Sequence, residues 1–274
     1  VKNREREKMQ TVNSQSLLAK LLASENISVQ YTPGIKAAMF DLKNRVLMMP
    51  IWNNVSQDLE HLLLGHETAH AIDSPTAEEY KKAYMDIAKK VFGENPGERL
   101  IRTVAGFLNV IEDARIDKRQ KRRYPGLRKN YLMGYKELIE RDFFGTKGRD
   151  INSMNFIDRL NLYFKGGNVH MNLTFSPEEK VLLKKVENAE TWDEVVALTE
   201  EIYVYCKKKL EDMNEMEMTL SIGEGEGDAD DSDDFDFDGE GDGDDACAPT
   251  DHANVHARVG RASIPERERG AGPP

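Results

Sequence analysis

The sequence predicts an α+β fold, in which a small N-terminal sheet precedes a mostly helical body and a disordered acidic tail. Three observations carry this reading. Between residues 27 and 51, short runs rich in β-branched and aromatic residues alternate with turn residues. From residue 56 to about 213, apolar residues recur at helical spacing. Beyond that they fade, and residues 223–245 hold thirteen Asp and Glu with no Lys or Arg, a composition that cannot bury enough apolar surface to order itself.

With 274 residues and 39% hydrophobic content, one folded domain over 1–222 is the economical count. The acidic linker 223–245 and a tail 246–274, rich in Ala, Arg, Gly and Pro, follow it. The net charge of −11 originates in the linker, because residues 1–222 carry 34 Lys plus Arg against 33 Asp plus Glu. A near-neutral body offers no basic field for nucleic acid. Cys206 and Cys247 suit reduced thiols better than a disulfide framework. No run of eighteen apolar residues occurs and none follows the charged start as a leader would, so a soluble, cytosolic-type protein without a membrane span is expected.

Taken in order, Ser14 to Ser24 is an amphipathic helix carrying Leu17, Leu18, Leu21 and Leu22 on one side. Ile27 to Tyr31, Ala37 to Leu42 and Arg45 to Ile51 read as strands, the last two joined by Lys43-Asn44 as a hairpin. Pro50 places the last strand at a sheet edge, where an extended peptide could add as a further strand. A helix then starts after Ser56, with Asp58 and Glu60 in its first turn and an expected core row of Leu59, Leu62, Leu63, Ala69 and Ile72. Asp73-Ser74-Pro75 ends it. Helices over Ala77–Phe92, Gly97–Arg122, Gly126–Arg141, Met154–Lys165, Pro177–Glu187 and Trp192–Met213 complete the body. Asn95-Pro96-Gly97, Pro125-Gly126 and Gly166-Gly167 separate several of them.

The first of these helices carries His66-Glu67-Thr68-Ala69-His70. Two histidines four apart stack on one helical face and can bind one Zn²⁺, while Glu67, offset by about 100° from His66, leans toward the water such an ion activates. That spacing points to metal-assisted hydrolysis, with Glu67 as general acid/base. An open zinc site needs a third protein ligand. Glu112, in Asn109-Val-Ile-Glu-Asp-Ala-Arg115, borders the apolar stripe of Phe107, Val110, Ile111 and Ala114 and is the favoured candidate; His170 competes with it. Asn109 shares the face of Glu112, and Asp113 could accept a hydrogen bond from the second nitrogen of His66 or His70. Tyr124, Tyr131, Tyr135, His170 and Arg115 are candidates for steadying an oxyanion, and the sequence does not choose among them. Asp234 to Asp245 matches calcium-loop spacing without flanking helices or a glutamate at the twelfth place, and is read as solvated linker.

A wider resemblance follows from motif order: Glu25-Asn-Ile, Phe40-Asp-Leu-Lys-Asn-Arg-Val-Leu, Gly65-His-Glu-Thr-Ala-His-Ala, Asn109-Val-Ile-Glu-Asp-Ala-Arg-Ile, Tyr124-Pro-Gly-Leu-Arg, Gly134-Tyr and Asp158-Arg-Leu-Asn-Leu-Tyr-Phe-Lys. Over about residues 20 to 210 the chain resembles the metallopeptidase-like region of tailed-phage proteins related to the cobaltochelatase CobT subunit. The resemblance implies a zincin-like fold, His66, His70 and Glu112 as metal ligands, Zn²⁺ as cofactor, a protein or peptide substrate, and a place in the host cytoplasm or on the virion. Relatives commonly continue through an acidic linker into a von Willebrand A-type domain, and some work with a MoxR-type AAA+ ATPase. Here the acidic linker is expected over 223–245, with no such domain expected in the residues that follow it. The same resemblance therefore allows a second expectation, an assembly or adaptor protein that docks a AAA+ ATPase or a virion component and keeps the metal site for its shape.

Overall fold

The computed structural model describes residues 16–24, 26–52 and 54–221; the expected acidic linker and tail lie outside the described residues. A helical segment over 16–23 leads into β1 (Ser28–Thr32), β2 (Met39–Asp41) and β3 (Val46–Pro50). The helical body follows as α1 (Gln57–Asp73), α2 (Ala77–Phe92), α3 (Glu98–Arg123), α4 (Leu127–Glu140) and α5 (Phe156–Leu162). A widened turn (Tyr163–Gly167) and a single helical turn (Asn168–His170) then lead to α6 (Pro177–Asn188) and α7 (Trp192–Ser221). The fold is therefore α+β with a mostly helical body, and among the described residues no helix is long and apolar enough to cross a membrane.

The sheet order is β1-β3-β2, with β3 parallel to β1 and antiparallel to β2. Strand β3 is thus central, which corrects the edge assignment drawn from Pro50. Pro50 sits opposite Thr32 at the last position of the ladder, where a missing N–H ends the pairing rather than interrupting it. The edge nearest α1 belongs to β2. The β2–β3 turn is held by Asp41, whose Oδ1 accepts from the backbone N–H groups of Lys43 and Asn44 at 2.9 Å each.

The helix starts follow from local chemistry. Ser56 Oγ accepts from Leu59 N at 3.1 Å, and Thr76 with Glu79, and Ser176 with Glu179, form reciprocal capping boxes. Helix α1 is covered on two sides, and this changes which of its residues are buried. Leu64 and Ala71 pack with Phe40 and Leu47 under the sheet, while Leu59 and Leu62 pack with Tyr131, Tyr135 and Leu138 of α4. Leu63 and Ile72, expected in the core row, are only half-buried. Contact with α4 is close because Gly134 lies against Leu62: a Cβ there would stand 2.8 Å from Leu62 Cβ and 3.1 Å from the Asp58 carbonyl. The largest core joins α2, α3, α5, α6 and α7 around Leu108, Ile111, Leu160 and Ile202. Helix α3 thus has one face in that core and another against α1.

Candidate metal centre

The face of α3 that meets α1 is polar. Asn109, Asp113, Asp117 and Gln120 recur at spacings of four, four and three, so they line one stripe, and all four are buried. Gln120 Nε2 donates to the Gly65 carbonyl and to Thr68 Oγ1, each at 3.1 Å, which locks the register of the two helices. One and two turns back, Asp117 and Asp113 meet the two histidines.

Each histidine is oriented through its Nδ1. His66 Nδ1 donates to Asp117 Oδ1 at 2.8 Å, and Tyr135 donates to the other oxygen of Asp117 at 2.9 Å. His70 Nδ1 donates to Ser74 Oγ at 2.9 Å, and Ser74 in turn donates to Glu112 Oε1 at 2.9 Å. Both Nε2 atoms are thereby directed toward Asp113 Oδ1, at 3.7 Å from His66 and 3.3 Å from His70. One ligand atom from each of His66, His70 and Asp113 lies within 4.8 Å of the others, so this group could hold a metal ion.

The charges explain why a cluster this buried is stable. Burial disfavours the His66 cation, but the Asp117 and Asp113 carboxylates outweigh it and push His66 up to about 9. Burial likewise opposes ionisation of Asp117, yet His66 holds it down to about 2. Asp113 is held well below the usual carboxylate range, again against burial, by Lys165 first and the histidines next. Glu67 is different. Its carboxyl is 4% exposed, burial raises it above the ordinary range, and its Oε2 has no hydrogen-bond partner.

The structure separates the roles expected of Glu112 and Asp113. Glu112 is completely buried but turned away from the histidine pair: Arg115 grips both its oxygens at 2.8 and 2.7 Å, and Ser74 takes one of them. It reaches His70 only through Ser74. Asp113, expected to accept a hydrogen bond from behind a histidine, instead faces both Nε2 atoms. Asn109 supports Asp113 Oδ2 at 3.4 Å. His170, the competing third ligand, lies near the Leu132 carbonyl at 3.2 Å and outside the cluster.

Most of the oxyanion candidates are engaged elsewhere. Arg115 also donates to the Asp73 and Glu190 carbonyls, Tyr124 donates to the Leu22 carbonyl, and Tyr135 is on Asp117. Tyr131 is 2% exposed and its hydroxyl has no partner of ordinary hydrogen-bond geometry. Its phenol is pushed well above its usual range, by burial first and by Asp117 second, so it stays a neutral donor. Three residues of the cluster were not found from sequence: Ser74, Asp117 and Lys165. The four-residue spacing of Asp113 and Asp117, matching that of His66 and His70, was the available signal for Asp117. No protein-family model, curated protein or solved structure matches the chain.

Proposed function

We propose that the chain is a zinc-dependent metallopeptidase of zincin-like fold, related to the tailed-phage proteins that resemble the cobaltochelatase CobT subunit, and acting on a protein or peptide substrate in the host cytoplasm or on the virion. The observation that carries this reading is the convergence of His66 Nε2, His70 Nε2 and Asp113 Oδ1 beside the buried carboxylate of Glu67. The kinship is supported by the order of motifs across residues 20 to 210.

Two nitrogens and one carboxylate oxygen are a donor set suited to zinc with an open position. The residues also meet a stricter test. Glu67 Oε2 is buried without a hydrogen-bond partner, a costly arrangement unless a further group satisfies it. Both Nδ1 atoms are occupied, so the Nε2 atoms are the ones presented to an ion. Bound there, Zn²⁺ would supply a Lewis acid that lowers the pKa of water to about 7.

The chain's own residues divide the remaining work. Glu67 takes a proton from the attacking water and delivers it to the leaving amine; burial raises its carboxyl above the ordinary range, which makes it a stronger base. Tyr131 is the remaining donor for the carbonyl oxygen. Asp117 and Ser74 hold the imidazoles in the Nδ1–H form throughout. Glu67→Gln tests the assignment. The variant is expected to retain metal and to lose hydrolysis of an unfolded protein substrate by at least about 100-fold, whereas activity equal to wild type would remove Glu67 from the chemistry.

The closure of the site favours a second reading. His70, Glu67 and Asp113 are each no more than 4% exposed, which leaves little access for a substrate. In this alternative the metal is structural and the chain is an assembly or adaptor protein, working with a MoxR-type AAA+ ATPase or a virion component. Retained metal with no hydrolysis by the wild-type chain, together with stable capture of such an ATPase, would favour it.

A further inference from the structure

The widened turn after α5 delivers a cation to the metal centre from a third direction. Lys165 leaves helical geometry (φ −91°, ψ 41°), Gly166 adopts φ 88°, and the lysine Nζ reaches Asp113 Oδ2 at 2.8 Å. The two glycines permit this approach. A Cβ at Gly166 would stand 2.8 Å from Tyr135 Cβ, and one at Gly167 would stand 2.5 Å from the Leu162 carbonyl oxygen, both closer than side-chain carbons come to such atoms. Lys165 is itself nearly buried, at 11% exposure, and its Nζ makes the strongest contact on that side of Asp113.

We propose that Lys165 is a positioning residue that makes Asp113 a one-oxygen metal ligand; the inference rests on the metal-centre reading above. Lys165 and, more weakly, Asn109 occupy Oδ2, and Oδ1 is left facing His66 and His70. With Oδ2 held, the carboxylate contributes a single oxygen and the ion keeps a position for water and substrate. Without the lysine, the second oxygen is free to swing onto the ion and fill that position. The positive charge also offsets a cluster that includes Asp113, Asp117 and Glu67, so the centre is not left with an excess of buried negative charge.

Cobalt(II) is the probe, because its visible absorption reports coordination number independently of any substrate. Wild type is expected to bind about one Co²⁺ with the intense bands of four-coordination. Lys165→Met, which keeps the length of the side chain without its charge, is expected to bind cobalt with those bands reduced to about a third as a fifth ligand joins. Lys165→Arg keeps the charge that supports the fold, but its fork engages both carboxylate oxygens. It is expected to bind cobalt at least about tenfold more weakly. Wild-type spectra and affinity in both variants would overturn the role of Lys165 while leaving the metal centre standing. Failure of wild type to bind cobalt would overturn the metal reading and this inference together.

Discussion

His66 Nδ1 lies 2.8 Å from Asp117 Oδ1, a contact between residues 51 positions apart that fixes which nitrogen of the histidine faces Asp113. The carboxylate does for His66 what Ser74 does for His70. Asp117→Asn keeps the size of the side chain and removes its charge. Zinc affinity is expected to fall by about 10- to 100-fold, as read by competition with a chromophoric chelator, while the fold is retained. Unchanged affinity would show that His66 needs no such support.

Glu112 answers to a different measurement from the ligands. Its carboxylate pairs with Arg115 where both side chains are at most 4% exposed, so a neutral partner leaves a buried guanidinium uncompensated. Glu112→Gln is expected to destabilise the protein by on the order of 3 kcal/mol, measured by denaturant unfolding of the metal-free chain. A cost below about 0.5 kcal/mol would mean that Arg115 finds other partners among the carbonyls it already touches.

Gly134 sets how closely α4 approaches the metal-site helix. Gly134→Ala puts a methyl group against Leu62 and the Asp58 carbonyl, and is expected to cost about 1–3 kcal/mol through overpacking. A lowered Tm with weaker metal binding would place the α1–α4 contact upstream of the site. An unchanged Tm would show that the helices separate freely.

Asp158, in the first turn of α5, gives the fold a pH dependence away from the metal centre. Burial pushes its carboxyl up from 3.8 to about 6, against the pull of Arg159. A carboxyl raised on folding penalises its own ionised form, so native stability falls as pH rises from about 4 through 6. The side chain is partly open to solvent, which reduces the effect to about 1–2 kcal/mol. Asp158→Asn is expected to raise Tm by a few degrees at about pH 7.5 and to leave it unchanged near pH 4, where wild type is largely protonated. An equal gain at both pH values would contradict the ionisation argument.

Helix boundaries were largely legible because their signals are local. Ser56, Thr76 and Ser176 cap the helices they precede, and Ala77–Phe92 begins and ends as its sequence implies. The sheet was legible as strands but not as an order, since Pro50 reads as an edge signal whether it interrupts a ladder or terminates one. At the candidate metal centre, the pairing of His66 and His70 on one face could be read from helical spacing alone. Choosing between Glu112 and Asp113 could not, because adjacent helical residues point about 100° apart and the packing of α3 decides which one faces α1. Arg115 and Ser74 draw Glu112 to the far side. Lys165 approaches along a turn whose path depends on Tyr135, 30 residues earlier, and no spacing rule reports that.

The central claim is that His66, His70 and Asp113 together hold one metal ion, and elemental analysis of the purified chain tests it most directly. Wild type and Glu112→Gln, studied below the melting temperature of the weaker variant, are expected to contain about one zinc per chain, and His70→Ala and Asp113→Ala almost none. Zinc retained in Asp113→Ala and lost in Glu112→Gln would contradict the account and return Glu112 to the ligand set.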